Sequence, residues 1–254
     1  TFGSAGESVV IEEFMEGEEA SVLCFTDGNT IIPMISAQDH KRISDGDMGA
    51  NTGGMGAYAP APVMTKELDK IVYDTILLPA VKAMKKEGCP FKGCLYAGLM
   101  ITKDGPKVVE FNCRFGDPET EAVLPLLESD LAKIMLACTK GTLKKESVEW
   151  KNACAVDVVL ASEGYPATHS SGEEIVGLEE AKKTGCLVFH AGSMKKNGRY
   201  FVNGGRVLNV AAVAPTLKEA QDKAYEGVSK ISWRGMKYRH DIADKGLKRL
   251  KKRK

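Results

Sequence analysis

The sequence predicts an α+β protein in which an antiparallel sheet with packed helices, over residues 1–145, precedes a smaller α+β unit over residues 146–254. Two apolar stretches, Leu95–Thr102 and Lys107–Cys113, flank an Asp-Gly turn, which predicts a β-hairpin. The polar stretch Lys144–Lys151 marks the predicted boundary between the two units. Strand and helix patterns resume after this stretch, so the second unit also contains both kinds of element.

Length and composition are those of a globular protein. The chain has 254 residues, 43% of them hydrophobic, which is enough to bury a substantial core. Its 35 basic and 34 acidic residues give a net charge of +1, so no global field favours nucleic acid or an anionic membrane. Seven cysteines without a CxxC pair are typical of reduced thiols. With neither a signal peptide nor an apolar run of about 18 residues, we expect a cytoplasmic protein that binds no membrane and no nucleic acid.

The first elements are predicted to form a small antiparallel meander. β-Branched residues predict a strand over Val9–Met15, and two further strands, Ala20–Thr26 and Thr30–Ser36, flank a tight turn. Four carboxylates crowd the first connection, at Glu12, Glu13, Glu18 and Glu19. This crowding costs electrostatic energy unless the groups face apart or serve a partner, so the pattern fits a solvated hairpin or a binding site.

A glycine-rich stretch from Gln38 to Pro62 has no apolar periodicity and predicts a long loop. Loops of this length inside a compact domain are usually functional or disordered. The cluster Gly53-Gly54-Met55-Gly56 could bring backbone amides close to a phosphate or carboxylate, and Asp39–Arg42 adds charged groups. The alternative is a mobile surface loop.

A helix is predicted over Thr65–Glu87, where apolar residues recur at helical spacing. Pro79 is expected to kink this helix, and Gly88 is expected to end it. The helix is expected to pack on the sheet.

The stretch Val108–Glu119, VVEFNCRFGDPE, is the central motif of the chain. Its β-branched and aromatic residues predict a strand, so Glu110, Asn112 and Arg114 share one face at period two. A carboxylate and an amide oxygen are donors suited to Mg²⁺, and a guanidinium can hold an anion bidentately. The alternative is a solvent-facing strand edge with an ordinary salt bridge.

A helix is predicted to start directly after this strand. Asp117 is expected at the N-cap and Pro118 at the first helical position, so the positive end of the helix dipole would lie beside the site.

The second unit is predicted to contain four strands and a capped helix. The helix begins with a capping box formed by Thr216 and Glu219. The predicted strands are Cys154–Ala161, Cys186–Ala191, Tyr200–Val202 and Arg206–Ala212. The basic end, KGLKRLKKRK, is expected to be a charged frayed terminus, with nucleic-acid contact as the alternative.

Eight motifs follow one another along the chain: VVIEEFMEGEEAS, QDHKR, NTGGMGAYAPAP, LYAGLM, EFNCRFGDPET, GYP, FHAG and NGGRVL. Together they resemble the glycinamide ribonucleotide synthetase (phosphoribosylamine–glycine ligase) family of ATP-grasp enzymes, over nearly the whole chain. The resemblance implies a partial ATP-grasp domain over residues 1–145 and the family's C-terminal domain over residues 146–254. It also implies that the family's N-terminal part is missing, so the fragment alone is expected to be inactive.

The resemblance assigns an ATP site. The segment carrying Glu12, Glu13 and Met15 would lie against adenine, and Glu19 would accept hydrogen bonds from the ribose hydroxyls. The same resemblance implies that the longer chain is fused to other purine-synthesis enzymes in some organisms.

The resemblance also assigns metal and catalytic residues. Glu110 and Asn112 match ligands of Mg²⁺ (or Mn²⁺), and Arg114 matches an arginine that steadies the transferring phosphoryl group. Leu99 and Met100 stand where many ATP-grasp relatives carry a further acidic ligand.

Twelve residues would border the sites of glycine and 5-phosphoribosylamine by the same resemblance: Asp39, His40, Lys41, Asn51, Thr52, Gly53, Gly54, Met55, Gly56, Gly204, Gly205 and Arg206. The implied reaction passes through glycyl phosphate. Two alternatives stay open at this point: another ATP-grasp carboxylate–amine ligase, and a nonenzymatic nucleotide-binding fragment.

Overall fold

The computed structural model describes residues 3–252, which form fourteen strands and seven α-helices. The strands are β1 (Glu18–Thr26), β2 (Ile31–Pro33), β3 (Gln38–Asp39), β4 (Arg42–Ser44), β5 (Met48–Asn51), β6 (Gly56–Ala59), β7 (Gly93–Thr102), β8 (Gly105–Asn112), β9 (Cys154–Ala161), β10 (Ser171–Ile175), β11 (Leu187–His190), β12 (Ser193–Lys196), β13 (Arg199–Asn203) and β14 (Arg206–Ala214). The helices are α1 (Lys66–Val72), α2 (Leu78–Lys86), α3 (Glu119–Val123), α4 (Leu131–Lys140), α5 (Leu178–Lys183), α6 (Leu217–Val228) and α7 (Asp244–Lys252).

The first sheet has four antiparallel strands in the order β2-β1-β7-β8. The predicted hairpin of the central motif is confirmed as β7 and β8. Alternate side chains of β1 enter different cores, with Leu23 and Phe25 on one face and Val22 and Cys24 on the other.

The strand predicted over Val9–Met15 is wrong. These residues pair with no strand within residues 3–252, and the exposed fraction of Ile11 is 92%. Strand propensity is realised only where a neighbouring strand supplies partners for the backbone amides and carbonyls. One ion pair joins the segment to the sheet, with Lys107 Nζ 2.6 Å from Glu13 Oε1.

The second large sheet, in the order β11-β14-β9-β6-β3, combines strands from both sides of the predicted boundary at residue 145. β6 pairs antiparallel with β9, and Ala57 lies opposite Asp157. The long loop predicted over Gln38–Pro62 is therefore wrong, because it contains β3 to β6 and a 3-10 turn at Asp45–Asp47. Strands of two to four residues are too short to show an apolar period.

The helix predicted over Thr65–Glu87 is present but divided. Thr65 caps α1 by accepting a hydrogen bond from the Leu68 amide at 3.2 Å. A π-helical turn over Tyr73–Leu77 separates α1 from α2. Pro79, which cannot donate a backbone hydrogen bond, lies in the first turn of α2 directly after this π-helical turn.

The helix after β8 starts differently from the prediction. Pro118 is the N-cap of α3, and the Asp117 side chain makes no capping hydrogen bond. Asp117 Oδ1 instead lies 3.0 Å from Nη1 of Arg206 in β14. The Asp117 carboxylate, which was predicted to cap the helix, therefore pairs with Arg206, a residue distant in sequence.

The elements predicted for the second unit are confirmed. The strand patterns correspond to β9, β11, β13 and β14. The capping box of α6 is complete: the Glu219 amide donates to Thr216 Oγ1, and the Thr216 amide donates to Glu219 Oε2.

Three hydrophobic cores stabilise the fold. α1 and α2 bury Val72 and Val81 against one face of the first sheet. α3 and α4 bury Val123 and Ile134 against part of the other face, and α6 covers the second sheet. The end of the first sheet that carries Glu19 stays partly open, since the Glu19 side chain is 42% exposed. Within residues 3–252, the helices are too short or too polar to cross a membrane.

Candidate functional site

A row of polar side chains crosses the open end of the first sheet. Ser21 in β1 lies opposite Gly98 in β7, and Gly98 lies opposite Glu110 in β8. Directly opposed residues of antiparallel strands share a face, and so do residues two apart on one strand. Glu19 and Asn112 therefore lie on this face as well. Gly98 keeps the middle of the row open, because a Cβ there would lie 3.3 Å from Glu110 Cγ.

Glu110 and Asn112 form an adjacent pair of oxygen donors. Asn112 Nδ2 donates to Glu110 Oε1 at 3.0 Å, which leaves the Asn112 amide oxygen without a donor among the described residues. Within residues 3–252 no cluster of three or more His, Cys, Asp or Glu side chains has metal-binding geometry. The pair fits a hard cation that takes its other ligands from phosphates and water, as Mg²⁺ does.

Arg114 follows the pair on the chain and is exposed. Its Nη1 donates to the carbonyl of Phe115 at 2.9 Å. Arg114 has no carboxylate partner in the described part of the chain. Its guanidinium is therefore available to an anion.

Lys41 joins the row to two further carboxylates. Its Nζ lies 3.6 Å from Glu19 Oε2 and 3.5 Å from Asp39 Oδ2. Burial opposes the charged form, yet the fields of Asp39, Glu19 and other acids, Glu110 among them, raise the pKa of Lys41. Lys41 therefore stays protonated and partly neutralises the acidic end of the sheet.

Glu119 is a buried carboxylate below this cluster. It accepts hydrogen bonds from Ser21 Oγ and from the Tyr96 hydroxyl, both at 2.8 Å. Burial, and then the charge of Glu119, raises the pKa of Asp39 to about 7 against the opposing effect of Lys41. Asp39 is thus a carboxyl that can exchange a proton near neutral pH.

Two cavities meet beside the polar row. A cavity of ≈ 270 Å³ is lined by charged residues, among them Glu19, Asp39, Lys41, Asn51 and Lys245. Another, of ≈ 570 Å³, is lined by the extended segment from Glu13 to Gly17 and by the turn between β7 and β8. Gly17 lines both cavities and must be small, because a Cβ there would meet the carbonyl of Ile101.

The predicted ATP residues lie around these cavities. Glu13 and Met15 line the larger cavity, and Glu19 lines the smaller one. Glu12 is exposed and lines neither. Glu110 and Asn112 lie outside both linings, and the charge of Glu110 acts on Lys41, which lines the smaller cavity.

The amides of the predicted glycine loop are already hydrogen-bonded within the protein. Gly53 N donates to the Tyr165 hydroxyl at 2.9 Å, and Gly54 N donates to Thr52 Oγ1 at 2.9 Å. Met55 N donates to the carbonyl of His40 at 2.8 Å. The loop is therefore packed, and Gly54, Met55 and Gly56 are buried.

Arg206 fastens this loop to the start of α3. Its Nη1 donates to the carbonyls of Gly53 at 2.8 Å and Asp117 at 2.9 Å. Gly204 and Gly205 lie in the adjoining turn, where Gly204 packs against Gly192. In this structure Arg206 is thus a cross-link between β14, the glycine loop and the strand–helix connection.

His40 is buried beside Tyr58 and reaches neither cavity. Both ring nitrogens lack a hydrogen-bond partner within residues 3–252. Burial, together with the charges of Arg239 and Lys245, lowers the pKa of His40 to about 4, so the ring is neutral at pH 7.

The segment Asp39–Arg42 is held in place by Arg239. This buried guanidinium donates to Asp47 Oδ1 at 2.9 Å and to the carbonyl of Arg42 at 3.1 Å. It also donates to both carboxylate oxygens of Asp241 at 2.7 Å. Charged and hydrogen-bonded on all sides, it joins the end of the chain to the hairpin beside Lys41.

Sequence reasoning missed Ser21, Tyr96, Glu119 and Lys245 as parts of this region. Ser21 and Tyr96 lie in apolar strand patterns, and a hydroxyl there gives no local signal. For Glu119, the sequence indicated only a position at the start of a helix. Lys245 belongs to the basic end of the chain, more than 200 residues from Lys41.

Two family models match the chain. The one described as "Phosphoribosylglycinamide synthetase, ATP-grasp (A) domain" matches residues 1–120, and the one described as "Phosphoribosylglycinamide synthetase, C domain" matches residues 155–245. Residues 121–154 lie between the two matched ranges.

Curated relatives are similar over almost the whole chain. The trifunctional purine biosynthetic protein adenosine-3 of Gallus gallus is 54% identical over 97% of this chain and 25% of its own length. The chloroplastic phosphoribosylamine–glycine ligase of Arabidopsis thaliana is 52% identical over 97% of this chain and 47% of its own length. The chain thus spans between a quarter and a half of these two relatives.

Solved structures agree with this similarity. A crystal structure of phosphoribosylamine–glycine ligase from Thermotoga maritima has a TM-score of 0.83 and 38% identity, over 91% of this chain and 57% of that one. A biotin carboxylase domain has a TM-score of 0.62 at 16% identity, over 88% of this chain and 49% of that one, and shows a shared fold alone.

Proposed function

Because the chain belongs to the phosphoribosylglycinamide synthetase family, we propose that it carries the ATP and metal sites of an enzyme that ligates glycine to 5-phosphoribosylamine. The observation that carries this proposal is the shared sheet face of Glu19, Glu110 and Asn112, where Glu19 lines the smaller cavity. The ligase names of the relatives and the ATP-grasp fold support it. The activity is proposed for the whole enzyme that contains this chain.

ATP would span the two cavities. The larger cavity, at Glu13 and Met15, has a volume within the range of small-molecule sites and offers backbone groups to the adenine edge. Glu19 would accept hydrogen bonds from the ribose, which would lie near Gly17, the residue that lines both cavities. The phosphates would then point toward Lys41 and the polar row.

Glu110 and Asn112 would hold the metal through a carboxylate and an amide oxygen, most simply Mg²⁺, with Mn²⁺ as a substitute. When bound, such an ion neutralises phosphate charge and orients the leaving group. Lys41 and Arg114 would add two fixed positive charges near the transferred phosphoryl group.

The proposed reaction has two steps. A carboxylate oxygen of glycine attacks the γ-phosphorus of ATP, and the bond to the ADP oxygen breaks, giving glycyl phosphate. The amine of 5-phosphoribosylamine then attacks the acyl carbon, phosphate leaves, and the nitrogen loses a proton. No nucleophilic side chain is needed, so the protein contributes positioning and charge stabilisation.

The substrate groups would lie around the glycine loop. Asp39 and Lys41 face the smaller cavity, and Asn51 lines it as well. The turn at Gly204 and Gly205, with Arg206, would lie beside the ribose phosphate. Support for this part of the proposal is the close packing of β14, the loop and α3 around Arg206.

We also propose a cytoplasmic setting for this chain. All seven cysteines are free thiols, in line with a reducing cytoplasm. Relatives from chicken and human are named as trifunctional purine biosynthetic proteins, so a fusion in the longer chain is proposed as an arrangement open to this family.

Substitution of Glu110 tests the metal site. Because Glu110 is exposed, Glu110→Ala should leave the fold intact while lowering glycine-dependent ADP release about 100-fold or more, through loss of a metal ligand. Glu87→Ala, at an exposed helix end, is the matched control and should retain full turnover. Turnover of Glu110→Ala equal to that of the control would refute the assigned site.

The choice of acid tests the reaction itself. The enzyme should release ADP with glycine and 5-phosphoribosylamine, and far more slowly with other carboxylates in place of glycine. A different preferred acid would identify another ATP-grasp ligase. Binding of ATP and Mg²⁺ by calorimetry without turnover would identify a nucleotide-binding module.

A further inference from the structure

The last helix, α7, presents a face made of Lys245, Lys248, Arg249 and Lys252. These positions recur at intervals of three and four residues, which places them on one side of an α-helix. Together with Glu18 they line a cavity of ≈ 480 Å³. We refer to these four residues as the basic face.

Acidic neighbours neutralise only part of the basic face. Arg249 forms an ion pair with Glu18, and Lys245 forms one with Asp47. Lys248 and Lys252 are exposed and have no acidic partner in the described part of the chain. A surplus of positive charge therefore remains on the cavity wall.

The basic face is held in a fixed position, contrary to the expectation of a frayed terminus. Gly246 packs so closely that a Cβ there would lie 2.8 Å from the Tyr58 ring and 2.9 Å from Leu217. Gln221 Nε2 donates to the carbonyl of Ile242 at 2.8 Å and to Asp244 Oδ1 at 2.7 Å. These contacts fasten the start of α7 to α6 and to β6 of the second sheet. Arg253 and Lys254 lie outside the described residues.

The cavity of the basic face adjoins the candidate site. Glu18 and Lys245 line it and also line the smaller site cavity, where they lie with Glu19 and Lys41. An anion on the basic face would thus be one side chain away from the proposed phosphate end of the nucleotide site.

The candidate site needs such a surface because it is acidic. Glu19, Asp39, Glu110 and Glu119 all contribute to the field at Lys41, whereas two of the three proposed substrates, ATP and 5-phosphoribosylamine, carry phosphate groups. Like charges slow the approach of an anion, and a fixed patch of opposite charge at the entrance raises its local concentration.

We propose that the basic face of α7 captures the phosphate group of an incoming substrate, ATP or 5-phosphoribosylamine, and delivers it to the adjoining site. This inference rests on the proposed ligase function. In this proposal the basic face raises the rate at which the substrate binds, and the residues of the polar row act in the chemical step.

Charge reversal at the two unpaired lysines tests the proposal. The double variant Lys248→Glu/Lys252→Glu, in the whole enzyme, keeps the ion pairs of Lys245 and Arg249. Its matched control is Lys82→Glu/Lys86→Glu, two exposed lysines at the same spacing near the end of α2, and neither lysine lines the cavity of the basic face. kcat/KM is measured for ATP, for 5-phosphoribosylamine and for glycine at several NaCl concentrations.

The expected result is a loss of about tenfold in kcat/KM for one or both phosphate-bearing substrates at low salt, shrinking as salt is added. The captured substrate is the one whose kcat/KM falls in the double variant. An unchanged kcat/KM, a loss shared equally by glycine, or a loss independent of salt would overturn the capture role while leaving the ligase proposal standing. Absence of ligation by the unmodified enzyme would overturn both.

Discussion

At the scale of single residues, Asp157 on β9 is a buried carboxyl group with too few hydrogen-bond partners. It is fully buried, and Oδ2 accepts one hydrogen bond from Asn209 Nδ2 at 2.9 Å. Its other oxygen and Glu121 Oε2 have no partner within residues 3–252. Burial, and then the charge of Glu121, raises the pKa of Asp157 well above its ordinary value.

This residue should make stability depend on pH. Because the folded state binds the Asp157 proton more tightly than the unfolded state, its contribution is fully present below about pH 4 and is lost as pH rises through the raised pKa. Asp157→Asn cannot ionise and keeps an acceptor for Asn209. Urea unfolding should show the variant more stable than the wild type at pH 8, by about 1–3 kcal/mol, with little difference near pH 4.

Asp104→Asn, in the exposed turn between β7 and β8, is the control for this comparison. It removes a carboxylate that is not buried, so its free energy of unfolding should follow the wild type at both pH values. A pH slope of Asp157→Asn equal to that of the wild type would show that the buried carboxyl carries no proton.

The residue scale is also where sequence reasoning reached furthest. Period two on a single strand placed Glu110 and Asn112 on one face, and the structure joins them by a hydrogen bond. The partners of Glu119 could not be predicted in the same way, since Ser21 and Tyr96 lie 98 and 23 residues away. Only the pairing of β1 with β7 brings those hydroxyls together.

At the scale of elements, the main connection is the one that Arg206 makes between β14, the glycine loop and α3. One guanidinium nitrogen serves carbonyls of Gly53 and Asp117 as well as the Asp117 carboxylate. The resemblance to relatives assigns Arg206 to the substrate instead. The two roles differ in what they predict for the enzyme without substrate.

Arg206→Met separates them, because it keeps an aliphatic side chain and removes the donors. If the cross-link orders the loop, hydrogen exchange of the Gly53 and Gly54 amides should rise about tenfold or more without substrate, as about 1–3 kcal/mol of hydrogen bonding is lost. Arg199→Met, which removes an exposed ion pair with Glu174, should leave the loop unchanged. Equal exchange in both variants would favour a role confined to substrate.

Elements were predictable where their signals are local. The β7–β8 hairpin and the capping box of α6 depend on turn and cap residues within a few positions. The strand prediction for Val9–Met15 was wrong because a strand needs a neighbouring strand to pair with, and the residues of the segment do not specify one. The short strands β3 to β6 were not predicted, because they are stabilised by pairing with β9 and with each other and not by a local pattern.

At the scale of the whole molecule, distant parts of the chain converge on the polar row. β6 extends the sheet of the C-terminal unit, so the predicted division at residue 145 falls within a structure whose sheet is continuous. Arg239 joins the end of the chain to the hairpin beside Lys41, and α7 follows from that junction. Such convergence has no signature in a single sequence, since each contact joins residues far apart along it.

The central claim is that Glu110 and Asn112 bind a divalent ion at the phosphate end of an ATP site that begins at Glu13 and Met15. Its most direct test is a crystal structure with Mn²⁺ and a nonhydrolysable ATP analogue, in which anomalous scattering locates the metal. The account predicts one ion about 2.0–2.3 Å from an oxygen of each side chain, with adenine in the larger cavity. An ion bound elsewhere, or adenine outside that cavity, would contradict it.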